Sequence, residues 1–135
     1  MRIQLMAFLA ILSAGVAIPR IPSARAADET IALKSGETAD LGNLFFVVNC
    51  KSLLNGPIAI EVLEAPPGVT ASVKEQKVIP RKFNCAKEVP GGHLLVTASG
   101  DVKVRTQGIL TVRLKFPTKD GERQQSRSIN VTLFP

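Results

Sequence analysis

Residues 108–116 read GILTVRLKF and residues 128–133 read SINVTL, and these two stretches decide the fold class. In both, apolar and polar residues alternate, which is the two-residue period of a β-strand with one buried face. The segment between them contains Asp120-Gly121, a pair that favours a tight turn between two strands. The C-terminal part of the chain is therefore predicted to be an antiparallel β-hairpin.

A two-residue turn at the Asp-Gly pair fixes a register for this hairpin. In that register Val112 faces Ile129, so that apolar side chains meet across the two strands. It also places Arg127 opposite Leu114 on the inward face. A charged side chain is expected there only at a rim position or a bulge, or if the connecting loop is longer.

The same two-residue period recurs upstream, and no helical spacing is sustained anywhere after residue 27. Further alternating segments lie within 29–34, 44–50, 58–62, 69–73 and 94–98, and turn residues separate them at 35–37, 55–57, 65–68, 90–92 and 99–101. About seven short strands without a crossover helix are typical of an all-β, antiparallel two-sheet sandwich.

Residues 1–26 have the three parts of a secretory signal peptide. Arg2 gives a positive start, residues 6–18 form an uncharged apolar run, and Ala24 and Ala26 are the small residues that a signal peptidase accepts. The alternative is a membrane anchor, but such a run spans only about 20 Å as a helix, against roughly 30 Å of hydrocarbon. We expect cleavage after Ala26, a single mature domain of residues 27–135, and a periplasmic or secreted location.

The signal accounts for much of the positive charge of the chain. All 135 residues carry a net charge of +6, but Arg2, Arg20 and Arg25 leave with the signal and no acidic residue does. The mature domain then has fourteen basic and eleven acidic residues, a net charge of +3. This ordinary value gives little reason to expect nucleic acid as a partner, and no membrane span is expected in the mature chain.

The two cysteines, Cys50 and Cys85, are expected to form a disulfide, because exported proteins fold in an oxidising compartment. The alternatives are a redox pair or a metal site. A redox pair usually has the spacing C-x-x-C, and a structural zinc needs about four ligands. Neither pattern is present in the sequence.

Two segments resemble those of bacterial secreted immunoglobulin-like and fibronectin-III-like domains. Residues 64–71, EAPPGVTA, look like the Pro-Gly link between neighbouring strands, and residues 108–134 look like the last hairpin of such domains. The resemblance implies an immunoglobulin-like β-sandwich that serves as a scaffold for binding or assembly, and it implies no particular ligand.

This chain contains few residues that are candidates for catalysis. His93 is the only imidazole, and because it follows Pro90-Gly91-Gly92 it is expected to be a solvated loop residue. The acidic pairs at 28–29, 61/64 and 120/122 match no calcium loop. We expect no enzyme activity, no cofactor and no metal site, although a pocket holding two carboxylates with perturbed pKa values would point to an enzyme.

Two groups of residues are candidates for contact with a partner. The densest basic cluster lies within 74–88 and consists of Lys74, Lys77, Arg81, Lys82 and Lys87. It indicates an anion-facing loop, or simply a long solvated connection held by Cys85. Leu53 and Leu54 indicate either an apolar contact point or a loop that folds back onto the edge of the sandwich.

The leading hypothesis from sequence is an exported, non-catalytic binding or assembly module that acts through its strand edges and loops. An envelope protein or an anionic saccharide is the expected partner. The alternative is an inhibitor of an exported hydrolase. Replacing one loop should abolish inhibition, whereas blocking an edge strand should abolish assembly.

Overall fold

The computed structural model describes residue 15 and residues 29–135, and the predicted signal peptide lies outside these residues apart from Gly15. Within 29–135 the chain is all-β, with no α-helix and a single turn of 3-10 helix at Arg81–Phe83. The strands are β1 (Glu29–Lys34), β2 (Thr38–Leu44), β3 (Val47–Val48), β4 (Lys51–Ser52), β5 (Ala59–Glu64), β6 (Val69–Val78), β7 (Val89–Ala98), β8 (Thr106–Thr118) and β9 (Gly121–Phe134).

The strands form two main sheets and one small hairpin. The first sheet has the order β1-β9-β8-β5, the second has the order β2-β7-β6, and β3 pairs only with β4. β1 runs parallel to β9, whereas the other pairs are antiparallel. The chain passes from the first sheet to the second at residues 35–37, where Gly36 has a φ of 78° and supplies the left-handed conformation that the turn needs.

The inward-facing residues of both sheets pack into one core. Strand β8 shows the pattern most clearly, because Leu110, Val112 and Leu114 are fully buried and the residues between them are not. Buried residues from other strands of both sheets belong to the same cluster, among them Leu33, Leu44, Val69, Leu94, Val96, Ala98, Ile129, Val131 and Leu133. The predicted all-β class is therefore confirmed, and the layers are those of a sandwich-like fold.

The C-terminal hairpin is confirmed, but its predicted register was wrong. Thr118 pairs with Gly121, so the two turn residues are Lys119 and Asp120. Gly121 starts β9 with a φ of 116°, a left-handed backbone conformation that favours glycine. Val112 consequently faces Arg127, two residues earlier on β9 than expected. A shift of two residues keeps each side chain on its predicted face, which explains why the alternation remained informative.

The segment from residue 38 to residue 50 also differs from its prediction. Strand β2 ends at Leu44, and the predicted strand over residues 44–50 is replaced by β3 and a tight turn in which Asn49 and Cys50 have positive φ values. Strand β2 itself was missed. It contains Gly42 at a φ of 104° in a bulge, where the Gly42 N–H donates to Asp40 Oδ1 over 2.9 Å. Such residues weaken the strand signal in the sequence.

Gly91 and Gly92 lie inside β7, so the predicted turn at 90–92 was wrong. Both residues are buried, and they occupy places where neighbouring backbone comes very close. A Cβ atom at Gly91 would stand 2.3 Å from the Leu44 carbonyl oxygen, and one at Gly92 would stand 2.9 Å from the Lys74 carbonyl oxygen. The glycines therefore allow β2, β7 and β6 to pair closely.

Substituting Gly91→Ala is expected to destabilise the protein by about 2 kcal/mol or more, because the backbone of β2 must move to admit the methyl group. The matched control is Gly100→Ala. A Cβ at Gly100 meets no atom within 4 Å, and its φ is outside the left-handed region. Urea unfolding followed by circular dichroism measures both variants, and equal midpoints would contradict the close packing at Gly91.

Candidate functional site

A disulfide joins two loops at one end of the sandwich. Cys50, in the turn between β3 and β4, is bonded to Cys85, and their Cα atoms are 5.5 Å apart. This confirms the predicted pairing. The bond connects residues 45–58, which link β2 to β5, with residues 79–88, which link β6 to β7.

The third loop at this end, residues 119–120, is fastened to the first. The Asn55 N–H donates to the Pro117 carbonyl oxygen over 3.0 Å, and Leu54 forms an isolated bridge with Thr118. Residues 45–58, 79–88 and 119–120 are together called the loop end. Because a disulfide and backbone hydrogen bonds connect its parts, the loop end is a single surface.

The loop end carries an excess of positive charge. Its basic residues are Lys51, Arg81, Lys82, Lys87 and Lys119, against the acidic residues Glu88 and Asp120. The loops at the opposite end, residues 35–37, 65–68 and 99–105, have two basic and two acidic residues. Among the loops, the net positive charge is therefore concentrated at the loop end.

The predicted basic cluster is divided by the fold. Lys74 and Lys77 lie on β6, which extends to Val78, so the expected long connection over 74–88 is shorter than predicted. Their side chains point to opposite faces of the strand because they are three residues apart. Of the cluster, only Arg81, Lys82 and Lys87 belong to the loop end.

The two leucines of the loop end have different environments. Leu54 packs against the core, as expected for a loop that folds back onto the sandwich. Leu53 is 40% exposed, although its N–H donates to the Phe46 carbonyl oxygen over 2.9 Å. Of the pair, Leu53 alone is available as an apolar contact point.

An open cleft of about 400 Å³ lies beside the loop end, between β2 of one sheet and β9 of the other. Leu44 and Phe116 contribute apolar surface from the core. Its charged lining residues are Glu29, Lys82 and Arg127. The cleft thus combines apolar surface with charges of both signs.

The charged wall of the cleft is an ion pair between neighbouring strands of the first sheet. Arg127 Nε donates to Glu29 Oε1 over 2.9 Å, and the guanidinium contacts the same oxygen through Nη2. The Arg127 side chain is only 17% exposed. The inward-facing arginine noted in the sequence is therefore at a rim position, with a partner on β1.

Phe83 forms the other rim of the cleft. It is 57% exposed, and its ring meets that of Phe45 edge to face with centroids 5.7 Å apart. The Phe83 N–H and the Cys85 N–H both donate to the Pro80 carbonyl oxygen, which holds the turn in place. Phe83 is not among the contact residues predicted from sequence, and the available signal was an aromatic residue between Lys82 and a cysteine-bearing turn.

His93 is not the solvated loop residue that was expected. It lies on β7, and its Nδ1 is 2.8 Å from Asp40 Oδ2 on β2. The side chain is 19% exposed. This contact links β2 and β7 next to the bulge of β2, and it lies outside the cleft lining.

In residues 29–135, no three His, Cys, Asp or Glu side chains are grouped closely enough to hold a metal ion. No helix in the described part of the chain is long and apolar enough to cross a membrane. No protein-family model matches the chain, and no curated protein or solved structure gives a match.

Proposed function

We propose that this protein is an exported, non-catalytic binding or assembly module with an immunoglobulin-like β-sandwich. The strand order supports this class. Strands β9, β8 and β5 lie in one sheet and β2, β7 and β6 in the other, which is the division of an immunoglobulin-like domain. The first strand differs in lying beside β9 instead of β2.

Export is supported by two independent features. Residues 1–26 have the pattern of a cleavable signal, and the Cys50–Cys85 disulfide is of the kind that persists in oxidising compartments. Together they favour the periplasm or the exterior of the cell as the place of action.

The observation that carries the binding function is the loop end beside its cleft. Three connected loops present a net positive surface, and the cleft next to them exposes Phe83 and core-derived apolar surface. Charge of this kind speeds the encounter with an acidic partner, and a fixed aromatic contributes contact area at low entropic cost. We propose an envelope protein with an acidic surface as the partner.

The test is affinity capture from a periplasmic extract with two matched baits. The double variant Lys82→Glu/Phe83→Ala changes the loop end, and the control Lys103→Glu/Val104→Ala changes a similar exposed pair at the opposite end. Proteins held by the wild type and the control, but at least about tenfold reduced with the loop-end variant, would support the proposal. Equal retention by both variants would contradict it, and binding only to acidic saccharides on an array would replace the protein partner with a glycan.

The exposed Phe83 also favours the second candidate, an inhibitor of an exported hydrolase. An aromatic side chain on a short turn clamped by a disulfide can enter an active-site cleft without ordering on binding. An inhibitor should capture a single hydrolase and lose it through Phe83→Ala alone. A binding or assembly module should instead capture one or more envelope components.

A further inference from the structure

Strand β9 is longer than its neighbour on the cleft side. β8 pairs with β9 over its length from Gly121 to Leu133, whereas β1 pairs with it only from Ile129 to Phe134. Among the described residues, no strand lies beside Glu122–Ser128 on the β1 side. We call residues 122–128 on this side the β9 edge. Unpaired backbone N–H and C=O groups of such an edge can accept another strand.

The β9 edge borders the cleft. Gln125 and Arg127 are on the inward face of β9 and belong to the cleft lining, and Phe83 and Lys82 lie on the opposite rim. An added strand would alternate its side chains between solvent and the cleft. Its inward side chains would therefore meet apolar surface from Phe116 and basic groups from the rim.

The pairing of β1 with β9 indicates which side chain an added partner strand would place next to β9. Glu29 stands opposite Ile129 in the parallel register, and its carboxylate reaches Arg127, two residues earlier on β9. Repeating this relation four residues earlier on β9 puts an acidic residue opposite Gln125 and next to Arg123. Arg123 is exposed, and because it is four residues from Arg127 it lies on the same, inward face of β9.

Charge argues against a second copy of this chain as the added strand. Two β9 edges paired antiparallel about Gln125 would place Arg123 of each copy directly opposite Arg127 of the other. Like charges opposite one another are destabilising, and Lys82 on the facing rim adds a further positive charge. A strand with an inward acidic residue has the complementary charge.

We infer that the β9 edge, residues 122–128, docks an extended strand of a partner polypeptide whose inward side chains are apolar with one acidic residue that pairs with Arg123. Backbone hydrogen bonds would bind an added strand of any sequence. The cleft and Arg123 would favour strands with apolar and acidic inward side chains. The inference rests on the proposed export in one respect: cleavage after Ala26 leaves two residues ahead of β1, too few to cover the whole edge.

The experiment uses the full chain, expressed with its predicted signal peptide and purified from the periplasm. Mass spectrometry establishes the N-terminus of the purified protein. The probe is the capped peptide Thr-Val-Thr-Glu-Thr-Val-Thr, and the matched control peptide has Lys in place of Glu. Binding is followed by fluorescence anisotropy and by amide hydrogen exchange. We expect slower exchange within residues 122–128 and about tenfold weaker binding of the Lys peptide.

Two further comparisons separate strand addition from attraction of charge alone. Arg123→Glu is expected to reverse the preference between the two peptides, whereas Lys103→Glu at the opposite end should leave it unchanged. N-methylation of alternate peptide residues should abolish binding for one alternating set and spare the other, because only one edge of the added strand pairs with β9.

Equal binding of the two peptides, equal effects of both N-methylated sets, or slower exchange outside the β9 edge would each overturn the inference. Concentration-dependent dimers without peptide would assign the edge to a second copy and would also overturn it. If the protein is processed after Ala26 but does not bind, the inference alone fails. If it is not exported, the proposed function fails.

Discussion

Removing the disulfide through Cys50→Ala/Cys85→Ala is expected to lower the free energy of unfolding by about 3–4 kcal/mol. The bond closes a segment with a sequence separation of 35 residues, and opening it returns chain entropy to the unfolded state. Neither cysteine belongs to the main core cluster, so the variant should still fold. Chemical denaturation in oxidising buffer measures the loss.

The wild type under a thiol reductant is the matched control for this variant. Reduction leaves both cysteine side chains in place, so it separates the cross-link from the packing of Cys85, which is only 5% exposed. We expect the reduced wild type to lose most of the same stability, with hydrogen exchange accelerating first in residues 45–58 and 79–88. An unchanged denaturation midpoint after complete reduction would refute a stabilising role for the bond.

Truncating Leu110→Ala is expected to cost about 2–5 kcal/mol, the range for a fully buried leucine whose removal leaves a cavity. Leu110 has no exposed surface and lies on β8, where it pairs with Ile129 of β9. Since a domain of this size is stable by only about 5–15 kcal/mol, a large fraction of the molecules would be unfolded at elevated temperature.

Ile109→Ala is the control, because Ile109 is the neighbouring residue on the same strand but points outward and is 39% exposed. It removes the same number of carbon atoms from an isomeric side chain without opening a core cavity, and we expect a loss below about 1 kcal/mol. Thermal unfolding of the two variants side by side compares the faces of β8. A larger loss for Ile109→Ala than for Leu110→Ala would mean that the two faces had been assigned the wrong way round.

The fold class could be predicted from sequence because the core strands are strictly alternating. β8, and β9 as far as Val131, carry their buried residues at every second position, and this signal does not depend on which residues pair across the sheet. The register could not be predicted in the same way. The turn residues are Lys119 and Asp120, although the sequence suits a turn centred on Asp120-Gly121 equally well.

Local rules failed where tertiary packing overrides them. Gly91 and Gly92 have turn chemistry in isolation, but in the fold their lack of a side chain allows the backbones of β2 and β6 to approach β7. Likewise Gly42 weakened the signal of β2, although it serves that strand as a bulge. In each case the deciding neighbour is distant in sequence.

The candidate site was predicted only in part for the same reason. The disulfide followed from the compartment and from the presence of just two cysteines, and the inward Arg127 was recognised as unusual. Its partner Glu29 is 98 residues away, and the cleft is formed by two strands that belong to different sheets. Local sequence patterns do not predict contacts between residues this far apart in the sequence.

The parallel pairing of β1 with β9 determines how the molecule can be attached to a surface. β1 begins at Glu29, beside the cleft. β9 ends at Phe134, at the far end of the sandwich, where the Phe134 carbonyl oxygen accepts a hydrogen bond from the Ser35 N–H. A tether joined at Pro135 would therefore leave the cleft facing solution. A tag joined ahead of Glu29 would emerge beside the cleft and obstruct it, so immobilisation for any of these binding measurements should use the carboxyl terminus.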